Sequence, residues 1–271
     1  DFSTTVSWRA LNERKTGTEV LGREISDVIG MMQEFLDVDC KWVDTQPSPA
    51  MARFQKSRHK LKLLAQALNY SFLYTNNAVT PKAPHGLMPR INTLGTYCVS
   101  ASTGGAALTS IIIVNHDEDG VYGIYPKALM PPTGDFMIKH TASTTPRLSE
   151  TSAGKMYVYD DAYDFIGGIV VANPAGLGRI ANIPSATADV VAIEAKLVAL
   201  MNKMEVGPGT IIYMNEDIQT ALEVRNLNKG NNLWNPSGGK GLFGEPIPSY
   251  RGIPIKKIDS RILLNSETEV T

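Results

Sequence analysis

The residues that most readily hold a metal or move a proton are the four histidines, His59, His85, His116 and His140. They stand in unrelated segments, and none pairs with another His, Cys or carboxylate at a metal-ligand spacing. The densest carboxylates, Asp160, Asp161 and Asp164, have the oxygen ligands a hard cation needs. They fall in a strand-like alternation, however, where successive side chains point to opposite faces, so Asp160 and Asp161 are expected to diverge onto solvated edges. Gly238, Gly239 and Lys240 invite comparison with a phosphate-binding loop, but Gly241 stands where a Ser or Thr is needed and no apolar strand precedes them. Neither Cys40 nor Cys98 has a base nearby in sequence, and no Gly-x-Ser-x-Gly elbow occurs. The sequence therefore assigns no catalytic, cofactor-binding or metal-binding residue, and no cofactor.

If chemistry is not what the chain is built for, its elements must explain it. At 271 residues and 43% hydrophobic, the chain can bury a substantial core. A formal net charge of -1 gives no footing for a dedicated nucleic-acid binder, so any DNA contact is expected to be local. The distant Cys40 and Cys98 read as two buried thiols in a reducing cytoplasm. The sequence holds no apolar run long enough for a membrane span and no charged-then-apolar leader, so a soluble, unexported protein is expected. Because Asp1 opens almost directly into strand-like residues, a further amino-terminal segment is expected to precede it.

Period-two alternation at Val6, Trp8, Val38, Trp42 and Val43 reads as an extended arm, with Ile25 to Phe35 too mixed to close a core alone. After Pro47 and Pro49 a helical period takes over from about Ala50 to Tyr74, with Phe54, Leu61, Ala65, Leu68 and Phe72 on one stripe. Asn76 to Asn92 reads as loop. Ser110 to Asn115, the turn residues Asp117 to Gly120, and Val121 to Tyr125 read as a hairpin. Tyr157 to Asp164 alternates, and Phe165 to Ala172 is a buried strand. A second helix is expected to be capped at Ser185 or Thr187, with Val190, Ile193, Leu197, Leu200, Met201 and Met204 inward. A strand from Thr210 to Met214 then leads through Asn215, as a cap, into a third helix. Asn228 to Pro248 is a long Gly, Asn and Pro-rich loop, and Ile253 to Ile258 a last strand.

This order of parts resembles the Hong Kong 97-type capsid proteins of tailed phages. The strings VSWRALNERKTGTEV (Val6 to Val20), GLMPRIN (Gly86 to Asn92), TSIIIVNHDEDGVYGIYPK (Thr109 to Lys127), GRIANI (Gly178 to Ile183), GTIIYMNEDIQTAL (Gly209 to Leu222) and SYRGIPIKKIDSRIL (Ser249 to Leu264) are similar to the major capsid proteins of short-tailed phages like epsilon fifteen. The resemblance implies an α+β fold with an extended β-hairpin loop at 1–45. A peripheral domain would follow at 46–185 with a spine helix at 50–74, then an axial domain at 186–252 and a return strand and carboxy-terminal segment at 253–271. It implies a non-enzymatic coat protein made in the bacterial host cytoplasm and resident in the virion. Its partners would be copies of itself in hexamers and pentamers of an icosahedral shell, packaged double-stranded DNA held non-specifically, and scaffolding, portal and decoration proteins, with no membrane. The alternative is a virion accessory domain, ligand-binding or decorating, with its site in the loop around Trp234.

Charge singles out contact residues. Asp1 to Asp44 carries nine acidic against five basic side chains, whereas Thr45 to His116 has no Asp or Glu and seven Lys or Arg. Complementary blocks of this kind fix register between partners. Glu24 and Asp27 of one subunit are therefore expected against Arg53, Lys56 and Lys60 of a neighbour's spine. Trp234 and Phe243, costly to leave wet, are expected in subunit contacts near a capsomer's axis.

Overall fold

The computed structural model describes residues 11, 14, 26–102, 105, 107–126, 138–151, 154–185, 189–229, 234–235 and 249–271. Two sheets organise them. In the five-stranded sheet the central member is β7 (Gly154–Val171), flanked antiparallel by β1 (Gly30–Asp39) from Val158 to Gly167. Successive stretches of β7 also pair with β4 (Val121–Ile124), β5 (Ile138–Ala142) and β6 (Arg147–Thr151). The two apolar runs read from Tyr157 and Phe165 are thus one strand. The strand expected at Val38 to Val43 instead ends at Asp39, whose carboxylate accepts the Lys41 N–H at 2.9 Å and caps the short helix α1 (Cys40–Asp44).

The seven-stranded sheet runs β10 (Trp234–Asn235), β11 (Ser249–Tyr250), β12 (Ile253–Ile258), β9 (Thr210–Asn215), β3 (Leu108–Asn115), β8 (Leu177–Pro184) and β2 (Cys98–Ser100). All eight residues of β3 are buried. A strand buried on both faces needs a neighbour on both edges. β3 finds them in β8 and β9, so the hairpin expected between β3 and β4 does not form: the turn at Asp117 to Gly120 carries the chain from one sheet to the other. The sheet also takes β2, β3 and β8 from the stretch 46–185, on the far side of the boundary expected at 185/186.

One face of this sheet, with Ile111, Ile113, Ile180, Ile212 and Met214, packs under α4 (Val190–Met201) and α5 (Glu216–Lys229). The cap of α4 is Asp189, not Ser185 or Thr187. Its carboxylate accepts from the Val191 and Ala192 N–H groups at 3.0 and 3.3 Å. At α5, Asn215 caps as its sequence position predicts, accepting from the Asp217 N–H at 3.1 Å. The opposite face, with Ile112, Val114 and Leu177, meets Val121, Val171, Leu263 and Leu73.

Leu73 closes the spine helix α2 (Pro49–Tyr74), which is about 39 Å long at 1.5 Å per residue and has Pro49 in its first turn. Its sheet-facing side follows the predicted stripe only in the second half, at Leu68 and Phe72. Leu64 and Leu68 are buried against Tyr163 and Phe165, while Phe54 is 60% and Leu61 39% exposed. The rotation is fixed by polar contacts along the same side, described below. Between α2 and β2 the chain forms one further short helix, α3 (Leu87–Arg90), inside the expected loop. No helix among the described residues is long and apolar enough to cross a membrane.

Candidate assembly interface

The seam between α2 and the five-stranded sheet changes character along its length. In the carboxy-terminal half Leu64, Leu68 and Phe72 meet Phe165, Tyr163 and Met32, with Phe72 edge-on to Phe165 at 5.8 Å. In the amino-terminal half the contacts are polar. Arg53 Nη2 lies 2.5 Å from Asp161 Oδ1, and the guanidinium sits 4.7 Å over the Tyr159 ring. Ser57 and the Tyr163 hydroxyl share a hydrogen bond, and burial, first, pushes that phenol up. Lys60 Nζ reaches Glu34 at 2.6 Å. His140 stacks on Tyr163 at 4.7 Å with its Nε2 3.8 Å from Asp161.

Asp160 and Asp161 diverge, as strand alternation predicts, and only Asp160, 27% exposed, keeps access to water. Asp161 is only 1% exposed and is neutralised by Arg53. Across the sheet, Asp160 bonds Arg147 and stands opposite Asp37. Burial and the Asp160 carboxyl raise the Asp37 pKa, whereas the Arg147 hydrogen bond lowers that of Asp160. Among the described residues no group of three or more His, Cys, Asp or Glu is placed to hold a metal ion. Cys40 and Cys98 are free and buried, and burial raises both thiols.

The charged residues singled out for contact are largely engaged within the chain. Asp27 takes a two-pronged bond from Arg90, at 2.6 and 3.2 Å, and Arg90 also donates to the His85 and Ile169 carbonyls. Arg53 and Lys60 pair as above, and Lys56 Nζ lies 4.1 Å over the Trp42 ring. Trp234 is in β10, in register with Tyr250. Glu24 and Phe243 lie outside the described residues.

Sequence reading missed a buried hub. Glu267 accepts from Arg179 Nη2 at 3.0 Å, from the Tyr74 hydroxyl at 2.5 Å and from Ser110. It joins the end of α2, β3, β8 and the carboxy-terminal segment. The Asn182 side-chain amide clasps Val270 through both its N–H and its carbonyl, at 2.9 Å each, from a residue held at φ 58°. These partners are far apart in sequence, so no local spacing announces them.

Among the described residues no element packs on the outer face of the five-stranded sheet. On β1, Met31 is 75% and Phe35 59% exposed, on the side opposite Met32 and Leu36. A subunit with such a face is unfinished by itself. In sequence, residues 3–271 match the family described as major capsid protein GP7. The chain belongs to that family. It is a capsid shell-forming protein, and its place is the virion capsid. No curated protein matches it in sequence. Among solved structures, this capsid protein resembles a chain of the cryo-EM structure of bacteriophage Epsilon15. The TM-score is 0.63 at 21% identity, covering 96% of this chain and 80% of that one. A weaker likeness, to the holo-SrpI encapsulin complex of Synechococcus elongatus PCC 7942, has a TM-score of 0.41 at 10% identity, covers 57% of this chain and 74% of that one, and supports no argument.

Proposed function

We propose that this capsid protein is a non-enzymatic subunit that assembles with its own copies into hexamers and pentamers of an icosahedral shell around double-stranded DNA. On this reading α2 and the five-stranded sheet form the peripheral part of the subunit and the seven-stranded sheet the axial part. On the same reading the segment Asn228 to Pro248, with Trp234 and Phe243, is the one assigned toward a capsomer axis. The observation that carries the reading is the open face of the five-stranded sheet. Leaving Met31 and Phe35 in water forgoes roughly 1.5 to 3 kcal/mol for each side chain that burial would recover. Neighbouring subunits supply that burial.

Charge enters with a smaller role than the sequence blocks imply. Asp27, Arg53 and Lys60 already have partners in their own chain, so contact with a neighbour requires those pairs to exchange. Glu24 against Lys56 needs no such exchange with an acid. The test is direct: the full chain, expressed in bacteria, is sedimented and imaged in negative stain. Capsomers or closed shells are expected, with nuclease-protected DNA when packaging is reconstituted. A protein that stays monomeric at high concentration and low salt overturns the reading.

A further inference from the structure

Most charge around the spine is settled inside the subunit, by Arg53 on Asp161, Lys60 on Glu34, Arg90 on Asp27 and Arg147 on Asp37 and Asp160. Two of the charged groups that stand in no ion pair among the described residues lie beside exposed apolar side chains. The first is on the outer face of α2. Arg58 and Lys62, four residues apart and both exposed, engage in no ion pair there. Like charges at that spacing oppose helix formation, and α2 has no Asp or Glu to relieve them. The Asp259 carboxylate is held by Arg261 at 2.6 and 3.0 Å, which lowers its pKa, and Lys62 adds to that lowering without joining it in an ion pair among the described residues. Around them Met51, Phe54 and Leu61 continue the stripe, at three, seven and ten residues from its start when Arg58 is included. This face combines an unmatched positive charge with exposed apolar side chains.

The second group is the turn between β3 and β4. Asp117, Glu118 and Asp119 are all exposed and none joins an ion pair among the described residues. Tyr122 and Val206 are exposed beside them. The turn is firmly placed. The His116 N–H donates to the Gly209 carbonyl at 3.1 Å, and a Cβ at Gly209 would stand 2.2 Å from the His116 carbonyl oxygen. The loop carrying Val206 is thereby pressed against it.

We propose that the outer face of α2 in one subunit is covered by the Asp117 to Asp119 turn and its apolar flank from a second copy. The inference rests on the shell-subunit reading. Charge complementarity selects the occupant: the same chain bears both unmatched signs, each beside apolar residues, on different surfaces. Two different patches meeting make a heterologous contact, which passes from subunit to subunit and closes into a ring when the rotation allows. The ion pairs set register and encounter rate, and burial of Phe54 and Leu61 supplies affinity. Nucleic-acid phosphates would also attract Arg58 and Lys62, but they give Met51, Phe54 and Leu61 nothing to bury against.

The experiment uses the full chain and reads the assembled fraction by sedimentation at low salt. Arg58→Glu with Lys62→Glu, and separately Asp117→Lys with Asp119→Lys, should each lower that fraction by about tenfold or more. Combining the four changes should restore most of it. All four positions are exposed, so circular dichroism and Tm should stay near wild type, and Arg58→Gln with Lys62→Gln gives a milder version of the same loss. Wild-type assembly by both reversed pairs overturns the proposal, as does failure of the combination to restore. Spine variants that assemble normally but lose nuclease-protected DNA also overturn it and give the face to nucleic acid. A wild-type chain that never assembles sinks the shell-subunit reading itself, a result separable from all of these.

Discussion

The two sheets of this capsid subunit solve the problem of burial differently. The seven-stranded sheet is covered on both faces by its own chain, with Ile111, Ile112, Ile113 and Val114 at 0% exposure in one strand. The five-stranded sheet is covered on one face only, by α2, and half of that seam is hydrogen-bonded rather than apolar. The first is complete as a monomer. The second has a finished inner face and an outer face on which Met31 and Phe35 are exposed, the face proposed above to meet a neighbour. Stability and assembly are thus allotted to different layers, and substitutions should separate them.

The sharpest break comes from the buried hub of the first layer. Arg179→Ala strands Glu267, 4% exposed, without its cation and should cost about 3 to 5 kcal/mol in urea unfolding. Leu197→Ala, on the buried face of α4, should cost about 2 to 5 kcal/mol by the same measurement, since the side chain is fully buried. In the second layer Phe35→Ser should change subunit stability by less than about 0.5 kcal/mol while markedly lowering the yield of sedimenting shells. A large loss of subunit stability from that change would erase the distinction between the layers.

The smallest effect concerns pH. The raised Asp37 pKa contributes stability that is full below its ordinary value and lost as pH rises through the raised one. The lowered Asp160 pKa contributes stability present above the ordinary value and lost as pH falls through the lowered one. The two contributions of this pair overlap only around the ordinary carboxylate range. Asp37→Asn removes the like charge at neutral pH and should raise stability by under about 1 kcal/mol, given how exposed both side chains are, which reads as a small rise in Tm. A fall in Tm at pH 7 would show that the Arg147 contact outweighs the repulsion.

The sequence was most legible where one local period dominates. The spine, α4, β9, α5 and β12 follow from periodicity, caps and Gly or Pro punctuation, because those signals are read within a few residues. Pairing was less legible. Ile111 to Val114 are apolar for either a hairpin or a central strand, and only the remote β8 and β9 decide between them. The apolar stripe of α2 holds at Leu68 and Phe72 but not at Phe54 and Leu61, because in the first half Arg53, Ser57 and Lys60, polar in sequence, face the sheet through partners at Asp161, Tyr163 and Glu34. The charge blocks were visible, but proximity in the fold turned much of them inward. All net acidity of residues 1–44 falls in 26–44, where Asp27, Glu34 and Asp37 meet bases of their own chain.

Strand β7 has a mechanical consequence. Its 18 residues span about 60 Å at 3.3 Å per residue. One end, Gly154, pairs with β6, while the other, Val171, is buried between Val121 and Leu177 beside the second sheet. A tug on the Gly154 end along the strand axis is therefore transmitted through continuous backbone into that buried cluster. The hydrogen bonds to β1 and β5 on either side are loaded in shear, all at once, rather than peeled one after another. A tug across the axis would peel them singly and yield at far lower force. The strand works as a tie-rod, strong in the plane of the sheet and weak out of it.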